Sequence, residues 1–96
     1  MKLLRVEKSP NPDKKYRAVF ETETGRTKHT DFGDSSASDY LQHRDKERRE
    51  RYRDRHRKDL ETNDPTRAGY LSYYLLWGDY TSLRSNIDAY KKRFNL

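Results

Sequence analysis

The sequence has no cysteine, one tryptophan and one methionine, and apolar residues make up only 30% of its 96 positions. Without cysteine there is no disulfide framework, no thiolate zinc site and no cysteine nucleophile. No apolar run is long enough for a transmembrane helix, and the start, MKLLRVEKS, lacks the long apolar stretch of a signal peptide. We therefore expect a soluble protein with no membrane span, either intracellular or packaged inside a larger particle.

The scarcity of apolar residues also limits the core. Charged residues make up 40% of the chain, so its length and composition predict one small domain, residues 1–96, with a thin core. Eight tyrosines, three phenylalanines and the tryptophan partly compensate, because each aromatic side chain buries a large area. Acidic and basic residues are mixed and the apolar residues cluster, which favours an ordered domain over a disordered chain.

The formal net charge of +6 is spread unevenly along the chain. Residues 1–38 contain eight basic and six acidic side chains, residues 39–64 nine and eight, and residues 65–96 five and two. The Arg-rich middle segment is therefore almost neutral, which argues against a nonspecific basic arm that coats DNA.

Residues 1–32 predict a three-stranded antiparallel meander. The strands are expected at 2–8, 15–22 and 26–32, and the turn sequences SPNPD and TG separate them. In the second strand, KYRAVFET, apolar and polar side chains alternate well enough for one face to be buried. The third strand contains the fewest apolar residues.

The rest of the chain predicts three helices, so the fold class is expected to be α+β. Residues 33–64 contain a linker, GDSSAS, and a long charged helix. Ser36 or Ser38 is a candidate cap for a first helical turn, and Asp45 is the candidate cap of the charged helix itself. One face of this helix is expected to pack inward, and it carries Tyr52, His56 and Leu60.

Residues 65–96 predict an aromatic helical hairpin. Asp64 is the expected cap of its first helix, with Pro65 at the first helical position. The run TRAGYLSYYLLW is the most apolar segment and should form the centre of the core. After a Gly-containing break, Thr81 or Ser82 should cap a last helix whose apolar residues repeat at helical spacing.

Five basic residues of the charged helix recur at steps of four and three, which places them on one continuous stripe of a helix surface. Because arginine stays charged and offers a planar fork of donors, such a stripe can bind phosphates or carboxylates. The alternative is a solvated helix whose charges form internal ion pairs. Acid-before-base pairs four residues apart favour that alternative: Asp45 with Arg49, Glu47 with Arg51 and Asp54 with Lys58. The stripe consists of Arg44, Arg48, Arg51, Arg55 and Lys58.

The helical hairpin offers a second candidate interface. A helix, a short Gly-containing turn and a helix fit a helix-turn-helix, in which the second helix contacts DNA. An ordinary hairpin around an aromatic core is the simpler alternative. Tyrosines near basic residues can also stack on bases, and Tyr16, Tyr73 and Tyr80 are the candidates for contacts with a partner. The candidate nucleic-acid contacts are Arg84, Asn86, Lys91, Lys92 and Arg93.

The sequence predicts no catalytic or metal site. His29, His43 and His56 share no ligand-like spacing, and no nucleophile elbow, phosphate loop or carboxylate pair stands out. We therefore expect a non-enzymatic protein with no cofactor, no metal and no small-molecule substrate.

From Thr30 onwards the chain contains a set of short motifs: TDFG, SDYLQHRDKERRERYRDRHRKD, the DP and AG of DPTRAG, LLWG, and the closing S-N-I-D-A-Y-KKRF. Together they resemble a family of short, uncharacterised basic proteins of giant and algal large DNA viruses of the nucleocytoplasmic group. The resemblance covers roughly residues 28–96. Similar sequences often carry a proline where this chain has Lys46. The family implies no activity and no catalytic residue, but it implies a viral origin and a role in the virion or at replication sites.

The residues and the resemblance together predict a structural or interaction protein of a large DNA virus, in particular a minor capsid or core component of the virion. In this hypothesis the arginine-striped helix docks an acidic surface, either a capsid or other virion protein or packaged DNA. The alternative is a nucleic-acid-binding regulator that uses the C-terminal helix pair. The expected location is the virion, or otherwise the host cytoplasm or nucleus during infection.

Overall fold

The N-terminal third of the chain folds into the predicted three-stranded antiparallel meander. In the computed structural model, which describes residues 1–96, the strands are β1 (Lys2–Lys8), β2 (Lys14–Glu21) and β3 (Thr27–Asp34), in the sheet order β1–β2–β3. Strand β3 runs two residues beyond its expected end because its last residue still pairs with the first residue of β2.

The sheet buries one face against the helices. Tyr16, Ala18 and Phe20 share that face of β2, as the alternation predicts, and Phe32 of β3 lies opposite Tyr16. Leu3 of β1 lies opposite Phe20 and completes the buried face. Cross-strand pairs of aromatic and aliphatic side chains are the packing that stabilises such a sheet.

Four α-helical segments follow the sheet, and two of them continue as other types of helix. The charged helix tightens into a 3₁₀ helix at its end, and the core helix widens into a π-helix. The segments are α1 (Tyr40–His43), α2 (Lys46–His56) with a 3₁₀ continuation at Arg57–Thr62, α3 (Ala68–Leu71) with a π-helical continuation at Ser72–Leu76, and α4 (Leu83–Phe94). The fold class is therefore α+β, as predicted.

A buried aspartate, and not a serine, begins α1. Asp39 accepts from the backbone of the first turn, while the Gln42 side chain accepts from the backbone N–H of Asp39 at 3.0 Å. Lys15 of β2 holds the second carboxylate oxygen of Asp39 at 2.6 Å. The predicted caps Ser36 and Ser38 are therefore wrong, because the tertiary contact with Lys15 favours the aspartate.

The predicted caps of α2 and α4 are confirmed, whereas that of the core helix is wrong. Asp45 caps α2 and Ser82 caps α4. Asp64 instead accepts from both the backbone N–H and the hydroxyl of Thr66, at 3.0 and 2.6 Å. These two bonds close a separate turn, so α3 begins only at Ala68 and Pro65 lies outside the helix.

The core lies between the sheet and the C-terminal helices, and its centre is the predicted apolar run. Leu71 and Leu75 have no exposed surface, and Trp77 is 8% exposed. From α4, Tyr90 enters the same core and donates its hydroxyl hydrogen to the Pro65 carbonyl. Aromatic rings thus supply much of the area that aliphatic side chains supply in larger cores.

A buried asparagine closes the turn between the π-helix and α4. Asn86 Nδ2 donates to the carbonyls of Leu75 and Tyr80 at 3.0 and 2.9 Å, and Oδ1 accepts from the Tyr80 N–H at 3.0 Å. A Cβ on Gly78 would lie 2.7 Å from Asn86 Oδ1 and would overlap the Tyr74 carbonyl, so the turn requires glycine. Because Asn86 is 2% exposed, it is a structural residue and not a DNA contact.

We expect Asn86→Ala to lower the free energy of unfolding by about 2–4 kcal/mol, because three backbone groups of a buried turn lose their partner. Urea denaturation followed by the fluorescence of Trp77, the only tryptophan, measures this change. Ser85→Ala is the matched control, since Ser85 is the exposed neighbour on the same helix, and it should cost less than about 0.5 kcal/mol. An Asn86→Ala variant as stable as the control would contradict the structural role.

Candidate interaction surface

Helix α2 docks on the core through aromatic rings. No residue of α2 is fully buried, but the Tyr52 ring stacks on Trp77 with centroids 4.2 Å apart and planes 5° from parallel. The His56 ring also stacks on Tyr52, at 4.1 Å. Burial raises the pKa of Tyr52 to about 12, so its phenol stays neutral. With Leu60 packed against the same core, the predicted inward face is confirmed.

Two arginines of α2 also turn inward. Arg53 donates from Nε to the Trp77 carbonyl at 2.8 Å and from Nη2 to the Asp79 carboxylate at 3.0 Å. The guanidinium of Arg49 lies 4.8 Å from the centroid of the Tyr40 ring. Because their side chains are only 17% and 14% exposed, these two cations serve the fold rather than a partner.

The other lysine and arginine residues of α2, Lys46–His56, have no acidic partner. The predicted pairs four residues apart do not form. Asp45 is occupied as the cap, Glu50 and Asp54 contact Arg49, Arg53 and Arg57 instead, and Glu47 forms no ion pair. At about 100° per residue, all of these cations except Lys46 share, together with Lys58 of the 3₁₀ continuation, one face that lies between the inward residues and the acids. We call this face the cationic stripe, and it consists of Arg48, Arg51, Arg55 and Lys58, all exposed.

Arg44 does not belong to the cationic stripe, contrary to the sequence prediction. It follows the last residue of α1 with a φ of +55°, in the left-handed region, and its N–H bonds back to Tyr40. The chain therefore changes direction at Arg44 before Asp45 begins α2. The predicted stripe requires continuous helical spacing across Arg44, and this one backbone conformation interrupts it.

Two residues of the cationic stripe border a groove between α2 and the segment after β3. Arg48 and Arg55 lie two turns apart, about 10.5 Å along the helix. The groove has a volume of about 520 Å³ and also includes Lys15. Because Lys15 is paired with Asp39 at 2.6 Å, the free positive charges are the two guanidinium groups. Such a groove can receive carboxylate or phosphate groups.

The basic residues of α4 do not all lie on one face: Arg84, Lys91 and Lys92 fall within about 100° of one another, but Arg93 does not join them. Arg84 and Arg93 are nine positions apart, so helical geometry places them on opposite sides. The guanidinium of Arg93 lies 5.0 Å from the centroid of the Tyr74 ring, whereas Lys91 and Lys92 are exposed. Three of the four basic residues thus share a face, as a base-reading helix requires, whereas Arg93 lies apart from it.

The tyrosines predicted as partner contacts differ in their surroundings. Tyr16 is half-buried beside Phe32, whereas Tyr80 is 52% exposed. Tyr73 and Tyr80 line one pocket together with Arg93. Sequence reasoning missed this pocket, because its residues come from separate segments and no spacing pattern connects them.

His43 joins α1 to α2 in surroundings that disfavour a positive charge. Its Nδ1 accepts from the backbone N–H of Asp45 at 2.9 Å, and its Nε2 is buried with no hydrogen-bond partner. The ring lies 5.1 Å from that of Trp77. Burial, and then the nearby charge of Arg48, lower the pKa of His43, and the carboxylates of Asp45 and Asp39 oppose this only in part.

Fold and surface together define a small basic α+β domain in which four exposed cations are ordered on one helix face. Residues 4–56 match the model of a family of unknown function (DUF5754), and because this is more than half of the chain, the protein belongs to that family. The matched region includes most of the sheet and all of α2, but not Lys58 or the aromatic hairpin. No curated protein and no solved structure matches the chain.

Two further observations concern metal binding and membrane crossing. No three His, Asp or Glu side chains gather in a group that could hold a metal ion, and His29, His43 and His56 lie apart on different elements. None of the helices has both the length and the apolar character that crossing a membrane requires.

Stability should fall as the pH drops below about 6.5, the ordinary pKa of histidine. Below that pH His43 is protonated in the unfolded chain but stays neutral in the folded protein, so the unfolded state binds more protons. The free energy of unfolding therefore falls with pH until the lowered pKa of folded His43 is reached. His43→Asn keeps an acceptor for the Asp45 N–H and does not titrate. Urea denaturation at several pH values between about 7.5 and about 5 should therefore show a smaller loss for this variant.

The matched control for the pH series is His29→Asn, because His29 is exposed on β3 and lies outside the α1–α2 joint. This control should keep the pH dependence of the unmodified protein. If His43→Asn also kept it in full, the burial of a neutral imidazole at the α1–α2 joint would not be the cause.

Proposed function

We propose that this protein is a non-enzymatic interaction protein that docks an acidic surface of a partner protein through the cationic stripe. The observation that carries this proposal is that Arg48, Arg51, Arg55 and Lys58 are exposed and form no ion pair with a carboxylate. Like charges on neighbouring turns of a helix repel one another, so the arrangement does not stabilise the fold. An acidic partner surface would relieve this repulsion.

The charges beside the stripe favour a protein partner over DNA. Glu47, Glu50 and Asp54 lie on the adjoining face of α2, so a phosphate backbone laid on this helix would meet carboxylates as well as cations. A protein surface can place basic residues opposite these acids and acidic residues opposite the stripe. Such complementarity provides specificity more than raw affinity.

The support beneath the stripe also favours docking. The stack of Tyr52 on Trp77 and the two hydrogen bonds of Arg53 hold α2 on the core. A helix held in this way loses little conformational freedom when a partner binds, which lowers the cost of association. The groove beside Arg48 and Arg55 adds a recess into which an acidic side chain of the partner fits.

We further propose that the partner is a capsid or other virion protein, and that this protein is a minor capsid or core component of a large DNA virus. The resemblance of residues 28–96 to short basic proteins of such viruses supports this. Mass spectrometry of purified virions should then detect the protein as a packaged component. Detection in infected cells but not in purified virions would contradict the virion role.

The rival proposal is a nucleic-acid-binding regulator that uses the C-terminal helix pair. Arg84, Lys91 and Lys92 are exposed and free of ion pairs, which is compatible with it. The burial of Asn86 and the position of Arg93 on the opposite side of α4 from Arg84 disfavour it. It predicts duplex binding with a steep salt dependence, which is lost when Arg84, Lys91, Lys92 and Arg93 are changed.

Replacing all four residues of the cationic stripe with glutamine should weaken binding to an immobilised glutamate-rich helical peptide, a stand-in for an acidic protein surface. Each exposed ion pair contributes roughly 0.2–1 kcal/mol, so four lost pairs predict a roughly 4- to 700-fold weaker affinity by surface plasmon resonance. The variant should stay folded, because these side chains form no ion pair within the protein.

The charge-matched control changes four exposed cations of the sheet region to glutamine, and it should bind the peptide within about threefold of the unmodified protein. Equal losses in both variants would mean that net charge alone drives binding, and the stripe would have no specific role. Tighter binding to duplex DNA than to the peptide would reject the protein-partner proposal. The control residues are Lys2, Lys8, Lys14 and Arg26.

A further inference from the structure

A pocket beside the C-terminal helix shares no residue with the cationic stripe. Its volume of about 270 Å³ lies just below the roughly 300–1,000 Å³ of small-molecule sites, so it suits one planar ring better than a whole cofactor. The side chains of Tyr73 and Tyr80 form part of its lining, together with the two arginines Arg53 and Arg93.

Only one of the two arginines is free to bind an anion. Arg53 is bonded to the Trp77 carbonyl and to Asp79, so the charge of Asp79 at the pocket edge is compensated within the protein. Arg93 forms no ion pair, and its guanidinium lies 5.0 Å from the centroid of the Tyr74 ring, which positions it by cation–π attraction. The pocket therefore offers one positioned, unused fork of donors.

The exposed ring at the pocket is Tyr80. It is 52% exposed, yet its backbone N–H and carbonyl are both bonded to Asn86, so the main chain beneath the ring is fixed. Asn86 uses both of its amide N–H donors on carbonyl oxygens. No side-chain donor of Asn86 is left to read the edge of a base, so a planar ligand would be held by stacking.

We propose that this pocket binds one nucleotide of a single-stranded nucleic acid, with the base stacked on Tyr80 and a phosphate on Arg93. An aromatic ring beside a cation is the general means of binding single strands without sequence preference. An acidic peptide would use Arg93 but leave the Tyr80 ring uncovered, so the pair of groups favours a nucleotide. This inference does not depend on the cationic stripe or on its proposed partner.

The test uses the full chain and two fluorescently labelled probes, oligothymidylate and oligouridylate, in anisotropy titrations at several salt concentrations. Tyr80→Ala should weaken binding about tenfold, whereas Tyr80→Phe, which keeps the ring, should stay within about twofold. Arg93→Gln should reduce the slope of log affinity against log salt by about 0.7, the value for one phosphate contact on a single strand. A preference for one probe identifies DNA or RNA as the source.

Two controls separate this pocket from general basicity. Arg84→Gln removes an exposed cation on the opposite side of α4 and should leave the affinity within about twofold of the unmodified protein. In the second control, the tenfold effect of Tyr80→Ala should persist when the four residues of the cationic stripe are replaced by glutamine. Three results would overturn the proposal: no binding of either probe, equal binding of Tyr80→Ala, or equally tight binding of a duplex of the same length. If Tyr80→Ala abolished binding to the glutamate-rich peptide, the pocket would belong to the interface with a protein partner instead.

Discussion

The stack of Tyr52 on Trp77 is the contact on which the placement of the charged helix depends. The sequence of α2, KERRERYRDRH, contains no aliphatic side chain, and none of its residues is fully buried. The hydrophobic effect can therefore hold this helix mainly through one ring, and a stacked aromatic pair adds about 0.5–1.5 kcal/mol beyond the burial itself. Arg53, bonded to the Trp77 carbonyl, fixes the rotation of the helix about that contact.

That rotation decides which cations are available to a partner. With Tyr52 inward, Arg49 and Arg53 flank it and their guanidinium groups lie over the rings of Tyr40 and Tyr73, 4.8 and 5.9 Å from the ring centroids. Because a cation is attracted to the face of an aromatic ring, these two arginines pack on the core through their charged ends. Two arginines thus pack against the thin core, and the remaining cations of the helix lie on the solvent side.

Local signals in the sequence were enough for most of the fold. The meander follows from alternation and turn residues, and the caps Asp45 and Ser82 act on backbone groups two or three residues away. Predictions failed where a distant contact decides. Asp39 prevails over Ser38 because Lys15 reaches it from β2, and Asp64 binds Thr66, whose own carbonyl and hydroxyl are contacted from β3. The spacing of residues along the sequence does not reveal such long-range contacts.

Contacts within the fold also explain why a nearly neutral segment presents a cationic surface. Residues 39–64 contain nine basic and eight acidic side chains, yet the fold removes many of the acids from the stripe's side. Asp39 is buried against Lys15, Asp45 and Asp64 bond to backbone N–H groups, and Asp59 contacts His56. The formal charge of a segment is therefore a poor guide to the charge that a partner meets. What a partner meets depends on which carboxylates the fold has already used, and in this helix the unused charged groups are mainly cations.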